Sequence, residues 1–599
     1  MKSHSPARFR GHALTAALFL TCLTAHAQWT TEQFELKAGW NAVYLHIDAS
    51  HATLNQLVGS DPENPIEEIW VWSPPGPALQ FFDSLQAPQS GSTEWLRWDR
   101  YWAGASPMQR LPGNAAALVR VADGTPDYTW TLVGKPVPPA QRWTSSGMNF
   151  IGFPTPRTSP PTWGDFLGPA RSLHDHAEIY RYVGGPFSAT NPQRIHAPQL
   201  RNTPLHRNQA YWVRSEEYNR YFGPFEVELQ HPNGIQFGTR SGQFRIRIRN
   251  RIEEPVTVTA RLLPSGPAPA GEPVVAGNVP LLLRGEQDMS DLTFPFTRFS
   301  EEDGAFTLAP VGQAGANIEV VVGLDRFALE GIPGDHFAGI LRVSDDAGMT
   351  LIDLPVSAGI ASTEGLWVGN ALVGEVAHYL VDYAVDGTGG LAQDEDGAYI
   401  AEEIDESFGA VARAFPLRLI IHNNGSGNAT LLQRVYHGMI DDENTVLTKD
   451  QSVLHPDRLA SARRISAAHL PWTSGNASWT FNGPLNEAAE IETTVFAPYD
   501  DHAANPFVHT YHPDHDNLDA RFEQTLPQGV ESYGIERRIT LRVQAPGGDF
   551  ANVTAGSGTL SGTYEETVLL HGRDGASRTY RSRGAFALNR VSEIATLTD

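Results

Sequence analysis

Cysteine is almost absent: the 599 residues contain one, Cys22. It sits in the apolar run Ala13 to Leu23, which follows Lys2, Arg8 and Arg10 and precedes Ala25-His26-Ala27, a small-x-small site before Gln28. That order predicts a secretory signal peptide over residues 1–27, with an apolar part too short to anchor the chain in a bilayer. Phe19-Leu20-Thr21 lacks the small residue that a lipoprotein site places before its cysteine, so release is expected over lipid attachment. The mature chain then has no cysteine, no disulfide can staple it, and its domains must hold together by burial alone.

Basic charge is scarce as well. The formal net charge is -24, and cleavage of the leader removes three more basic residues. Such an excess of carboxylates repels nucleic acid and anionic lipid, and it suits solubility or divalent cation binding outside the cell. No stretch after the leader reaches transmembrane length. The expected location is secreted, periplasmic or at the cell surface, with no nucleic-acid partner and no transmembrane segment. The usual catalytic signatures are missing too: G-x-x-x-x-G-K-[ST], G-x-S-x-G and H-E-x-x-H do not occur. A glycosidase-type pair of carboxylates stays open, because the fold and not local spacing sets their separation.

What is present is an internal match. Gly39-Trp40-Asn41 corresponds to Gly147-Met148-Asn149, each opening an apolar run. Thr53 to Gly59 corresponds to Thr162 to Gly168, and Glu68-Ile69-Trp70 with Trp72 to Glu178-Ile179-Tyr180 with Tyr182. Leu111, Asn114, Ala116, Val119 and Arg120 correspond to Leu205, Asn208, Ala210, Val213 and Arg214 at identical spacing. Four blocks in one order, with length changes confined to polar gaps, predict a duplicated unit with variable loops. Aromatics on alternate positions at 70–72 and 180–182 predict strands with one buried face, and 53–59 predicts a short helical turn ended by Gly. Gly and Asn in the opening turn suit a backbone position with positive φ.

This order of blocks, ending in Tyr211-Trp212-Val213, resembles a repeat module of exported bacterial surface proteins written as GWN followed by GYWV. The first copy departs from it with Ala117-Leu118-Val119. The resemblance implies an extracellular structural or binding role.

The fold class expected is mainly β: tandem small β modules at 28–134 and 135–224, an immunoglobulin-like β-sandwich at 225–361 and a larger β domain at 362–599. Gln243 to Arg249 alternates charged and apolar residues, Val256 to Ala260 resumes the pattern, and Phe337 to Val343 with Leu351 to Val356 forms a hairpin around Asp345 to Gly348. Short strands at this spacing predict a sandwich. Phe237-Gly238, the following strand, Asn250 and Pro255 onward resemble Hydin-type immunoglobulin-like modules, which implies a spacer or adhesion unit. In the last region Phe415 to Ile421 and Ala429 to Tyr436 flank a Gly-rich turn, and strands are expected at Ile539 to Val543, Gly562 to Leu570 and Gly584 to Val591. Leu454 to Leu470 reads as a short helix or a loop. Gly365 to Gly369 and Gly584 to Val591 resemble the ends of an uncharacterised domain of similar exported proteins, which brings no activity with it.

Two segments are candidates for function. Eleven of the 14 tryptophans lie between Trp29 and Trp212, and Trp95, Trp98, Tyr101 and Trp102 crowd one stretch with no counterpart in the second copy. Exposed indole and phenol rings stack on sugars, so this is a candidate glycan platform; the plainer alternative is that they fill a core. The second is the polar run Tyr499 to Asn517. His509, His512 and His515 recur every third residue, with Asp514 and Asp516 beside them. Pro513 forbids a regular helix, so convergence on zinc needs a loop, and the aspartates alone suit calcium. The same residues also serve as turn formers, with imidazoles stacked on Tyr511 or Phe507. Two functions follow: an exported noncatalytic protein for adhesion, matrix assembly or binding of a glycan or another surface protein, or a secreted metal-dependent hydrolase using that histidine cluster.

Overall fold

The computed structural model describes residues 28–594 with breaks, the longest at 74–93, 449–461, 467–477, 482–489, 498–532 and 545–557. The expected leader at 1–27 and the run from Tyr499 to Asn517, with His509, His512, His515, Asp514 and Asp516, lie outside the described residues. Strand accounts for 53% of the chain and helix for 7%, so the fold is mainly β, as expected.

The first segment contributes β1 (Thr30–Leu36), β2 (Gly39–Leu45), β3 (Ile47–Asp48), β4 (Ile66–Trp72), β5 (Trp95–Asp99), β6 (Ala115–Val121) and β7 (Tyr128–Pro136). The second contributes β8 (Met148–Ile151), β9 (Glu178–Arg181), β10 (Gln193–Ile195) and β11 (Tyr211–Arg214). Strand β7 runs two residues past the expected boundary at 134. Two antiparallel sheets, ordered β2-β6-β4-β5 and β8-β11-β9-β10, carry the matched blocks. Gly39 opens β2 at a φ of 83°, which a residue with a Cβ rarely adopts. Asn41 contributes differently from expectation: it lies in the strand, and its amide closes the turn. Its Oδ1 accepts from the Lys37 N–H at 2.9 Å and its Nδ2 donates to the Lys37 carbonyl at 2.7 Å.

Each sheet is buried on both faces, which corrects the expectation of one wet face. In β4, Ile69 and Val71 join an inner core with Leu45, Leu54, Val58, Trp98 and Val119, covered by β1 and β7 through Phe34 and Trp130. Trp70 and Trp72, on alternate positions, point into a different core. That core is shared. Tyr44, Trp70, Trp72 and Trp95 of the first segment pack with Phe150, Tyr182 and Trp212 of the second. The Trp212 ring stacks on Phe150 with centroids 4.6 Å apart and meets Trp72 edge-on at 5.1 Å, while its Nε1 donates to the Tyr182 hydroxyl at 3.1 Å. Such offset and edge contacts suit aromatic quadrupoles.

Matched positions differ in size. Tyr44 corresponds to Gly152, and a Cβ on Gly152 would lie 2.3 Å from the Tyr44 ring. Leu118 corresponds to Trp212 and Ala42 to Phe150, all four in the shared core. The leucine of Ala117-Leu118-Val119 thus faces the same core as Trp212. Main-chain bonds stitch the same seam: Trp40 N–H to the Gly185 carbonyl at 2.9 Å, Gly185 N–H to Ala38 at 2.7 Å, and Tyr44 N–H to Asn208 at 3.1 Å.

Residues 225–361 form a sandwich. One sheet comprises Phe225–Leu229, Gln243–Asn250, Asn317–Leu324, Leu281–Arg284 and Phe296–Arg298; the other contains Ile235–Gly238, Leu351–Gly359, His336–Asp345, Val256–Pro264 and Ala305–Leu308. Phe244, Ile246 and Ile248 point inward, while Arg247 and Arg249 pair with Glu228 outside, at 3.4 and 2.7 Å.

The last region closes into an eight-stranded barrel, sealed where Gly365–His378 pairs with Ser577–Ser592. Trp367, Leu419, Ile421, Ile539, Leu541, Leu560 and Phe586 are buried. Outward positions carry ion pairs, such as Arg542 with Glu490 at 2.6 Å and Arg538 with Glu536 at 2.7 Å. Among the described residues, exposed positions of these strands also carry apolar side chains, Leu372, Phe496 and Val591. Among the described residues one charged pair enters the interior: Arg537 and Glu566 are buried and bonded, with the Tyr564 hydroxyl also donating to Glu566. Within 454–470, residues Ala462–Ser466 form a strand pairing with Tyr436–Asp441, in place of the short helix or loop expected. Ala-Arg-Arg-Ile-Ser shows no alternation of polar and apolar residues, so the sequence carries no strand signal there.

Replacing Trp212 by Ala opens a void in the shared core and removes the donor from Tyr182. The expected loss is about 3–5 kcal/mol, read by urea denaturation. A loss under about 1 kcal/mol, within the range of tolerated surface changes, would show that the two sheets do not depend on one another.

Candidate functional site

Strand β5 ends in a six-residue 3-10 turn, Arg100–Ala105, and the residues around it hold that turn rigidly. Asp99 is its N-cap, with Oδ1 accepting from the Tyr101 N–H at 2.8 Å. The Asp99 N–H donates to Ser106 Oγ at 3.1 Å, and that hydroxyl donates to the Trp102 carbonyl at 3.2 Å, so one serine closes the turn from both ends. Arg100 fastens it to the loop before β4, donating to the carbonyls of Ile66 at 2.9 Å, Asn64 at 2.6 Å and Asp61 at 3.0 Å. Arg97 bonds Asp99 and reaches Glu68 at 3.2 Å, with its guanidinium 4.9 Å from the Trp70 ring centre.

On this frame Tyr101 is 77% exposed and Trp102 is 70% exposed. The four aromatics singled out by sequence therefore divide. Trp95 and Trp98 are core residues: Trp95 contacts Trp72 and Phe150, and Trp98 Nε1 donates to Asn55 Oδ1 at 3.1 Å. Only Tyr101 and Trp102 are presented to solvent. The second segment does have an element at this place, contrary to expectation: β10 is followed by the 3-10 turn Ala197–Asn202. Ala-Pro-Gln-Leu-Arg-Asn carries no aromatic there. An edge strand followed by such a turn thus forms without exposed rings, and the pair at 101–102 is not demanded by the fold.

A second feature was not legible in the sequence. The seam between the two segments and β1 holds a cleft of about 390 Å³, lined by Gln33, Glu35, Arg157, His206, Asn208 and Gln209 among others. Beneath it lies a charge network in which Glu32, Arg207 and Asp353 are buried and Arg157 reaches the surface. Arg157 meets Glu32 at 2.6 Å, and Arg207 lies 3.6 Å from Glu32 and 4.0 Å from Asp353. Asp353 in turn accepts from Arg342 at 2.7 and 2.9 Å. Glu32 comes from the first segment, Arg207 from the second and Asp353 from the sandwich, so the network joins three bodies. Arg207 also donates to the Leu351 carbonyl at 2.8 Å, and Leu351 N–H bonds Pro154 at 2.6 Å.

His46 completes this junction. Its Nε2 stands 2.9 Å from the Arg207 carbonyl, an acceptor only, so that nitrogen carries the proton. Burial first, then the Arg207 guanidinium, holds the His46 pKa well below the usual histidine range. Burial and Arg181 lower that of His206 as well. Among the described residues no group of three His, Cys, Asp or Glu side chains is placed to share a metal ion, and no helix is long and apolar enough to cross a membrane.

No family profile matches the chain, and no curated protein does. Two structural-genomics proteins of unknown function from Bacteroides ovatus are similar over 59% and 62% of this chain and 86% and 97% of theirs, each at 9% identity, with TM-scores of 0.14 and 0.11. The native conformation of E. coli alpha-2-macroglobulin matches over 92% of this chain and 50% of its own at 9% identity, with a TM-score of 0.13. Scores this low carry no argument about fold or function.

A histidine kept neutral in the fold makes stability depend on pH. Below its unfolded value of about 6.5 the unfolded chain takes up a proton that folded His46 refuses, so stability present above that pH is lost as the pH falls. In His46→Gln this component is gone. The gap in unfolding free energy between wild type and variant is expected to narrow from pH 8 to pH 5 in urea titrations; a constant gap would mean that His46 is not held neutral.

Proposed function

We propose that this chain is an exported, noncatalytic, multidomain β protein that binds saccharide on the Tyr101–Trp102 turn and serves in surface adhesion or matrix assembly. One observation carries this reading. Two adjacent aromatic rings stand mostly exposed on a turn fixed by Asp99, Ser106 and Arg100, where the second segment has a turn of the same kind without them. Tryptophan is mostly buried in folded proteins, and neighbouring exposed rings on a preformed surface suit CH–π stacking against a sugar ring. Rigidity adds to this, because a turn already ordered loses little entropy when it binds.

The wider setting agrees. The leader-like start supports export, the matched GWN-type segments and the sandwich support a modular extracellular build, and the acidic charge supports solubility there. Another surface protein presenting a glycan would engage the same two rings.

Titration with bacterial and plant polysaccharides should shift tryptophan emission through Trp102. The double variant Tyr101→Ala/Trp102→Ala should lose that response while keeping its melting temperature, because both side chains are exposed. An unchanged response in the variant, or none in the wild type with any polysaccharide, would remove the turn as a binding site.

A further inference from the structure

The seam cleft is a separate feature, distinct from the aromatic turn in lining and in chemistry. The lining carries Arg157, Arg207 and Glu35, and Glu32, buried behind the lining, lies 2.6 Å from Arg157 and 3.6 Å from Arg207. Both guanidiniums are already paired with Glu32 and Glu35 stands on the same lining, so an entering ion of either sign meets a like charge and gains little over a neutral solute. The uncharged polar groups are amides, an imidazole and the Tyr182 phenol, whose oxygen accepts from Trp212. Gln33 and Gln209 line the cleft, and Gln209 uses its Oε1 for the Tyr211 hydroxyl at 2.9 Å, which leaves its NH2 as a donor directed by that bond. His206, lowered by burial and Arg181, is neutral near pH 7 and so offers one donor and one acceptor. Glu35 offers acceptors beside the Thr129 hydroxyl, which lies 2.9 and 3.0 Å from its oxygens.

The walls are rigid. Asn208 is fixed by donating to Glu32 at 3.0 Å and to the Gln33 carbonyl at 2.7 Å, and Arg157 by donating to the Thr31 carbonyl at 3.1 Å and to Glu32. Both ties cross from the second segment to β1, so the cleft exists only when the segments are joined. Its volume of about 390 Å³ falls at the small-ligand end of known sites. Closely spaced donors and acceptors without net charge match a solute that presents several hydroxyls, each both donor and acceptor.

We propose that the cleft between the two N-terminal segments and β1 is a binding site for a small neutral polyhydroxylated ligand, a monosaccharide or the end unit of a glycan. Gln33, His206, Gln209 and Glu35 make the polar contacts, and Arg157 and Asn208 hold the wall in place. The glycan end and the free sugar share this chemistry.

The test uses the full chain carrying Tyr101→Ala/Trp102→Ala, so that the result does not depend on the aromatic turn. Neutral methyl glycosides and N-acetylglucosamine are titrated by calorimetry and saturation-transfer NMR beside glucosamine and galacturonate. Saturable binding is expected for at least one neutral sugar, with the charged pair weaker by tenfold or more. Gln33→Trp, at an exposed position, fills the mouth, and Gln209→Ala removes one donor; each should weaken binding at least tenfold with the melting temperature of Gln33→Trp unchanged. A free monosaccharide binding as tightly as an oligosaccharide assigns the cleft to free sugar, and tighter oligosaccharide binding assigns it to a chain end. No saturable binding by any neutral sugar, charged sugars binding as tightly, or binding unaffected by Gln33→Trp overturns the proposal.

Discussion

The N-terminal half depends on one apolar layer that belongs to neither matched segment alone. Trp70, Trp72 and Trp95 on one sheet and Phe150, Tyr182 and Trp212 on the other bury their outer faces in one shared cluster. With Cys22 the one cysteine of the 599 residues, no disulfide within the chain substitutes for that burial. The arrangement resembles a closed two-fold contact within one chain, in which like surfaces meet, except that matched positions carry unlike sizes so that Tyr44 fills the space left by Gly152. Over the first two segments the described residues form three cores: one inside each segment and one between them.

Function follows from what that packing leaves at the surface. Because the shared layer consumes Trp95 and the inner core consumes Trp98, the next two aromatics along the chain fall on the turn beyond the sheet edge and remain in solvent. Because Glu32 on β1 must meet Arg157 and Arg207 from the second segment, the seam opens into a cleft above a neutralised floor. A buried charge left alone would be costly, and here each carboxylate has a guanidinium within reach and each guanidinium has carbonyls besides. The same network reaches Asp353 and Arg342 of the sandwich, which orients it against the N-terminal body.

Much of the fold was legible because period-two patterns survive when one side of a strand is wet. Gln243 to Asn250 shows this plainly, with inward Phe244, Ile246 and Ile248 and outward arginines. The reading failed where both faces are buried: Trp70-Val71-Trp72 alternates aromatic with aliphatic, and nothing in that string tells a second core from solvent. Strand β10 was invisible because Gln193-Arg194-Ile195 has little apolar content, being a short edge. Barrel closure was equally hidden, since it rests on pairing Gly365–His378 with Ser577–Ser592, strands far apart in the chain. Local composition separated Trp95 and Trp98 from Tyr101 and Trp102 no better, because ring type does not encode depth. The cleft lay beyond reach for the same reason: Glu32, Arg157 and His206 are ordinary surface-type residues until the two segments close on one another.

Native-state hydrogen exchange tests the shared core most directly, since residues that owe their protection to one packed layer must open together. The central strands β4 and β6 of the first segment and β9 and β11 of the second should exchange with one common opening free energy, and Trp212→Ala should lower it equally in both. Two separate opening energies, with the variant affecting the second segment alone, would contradict the account.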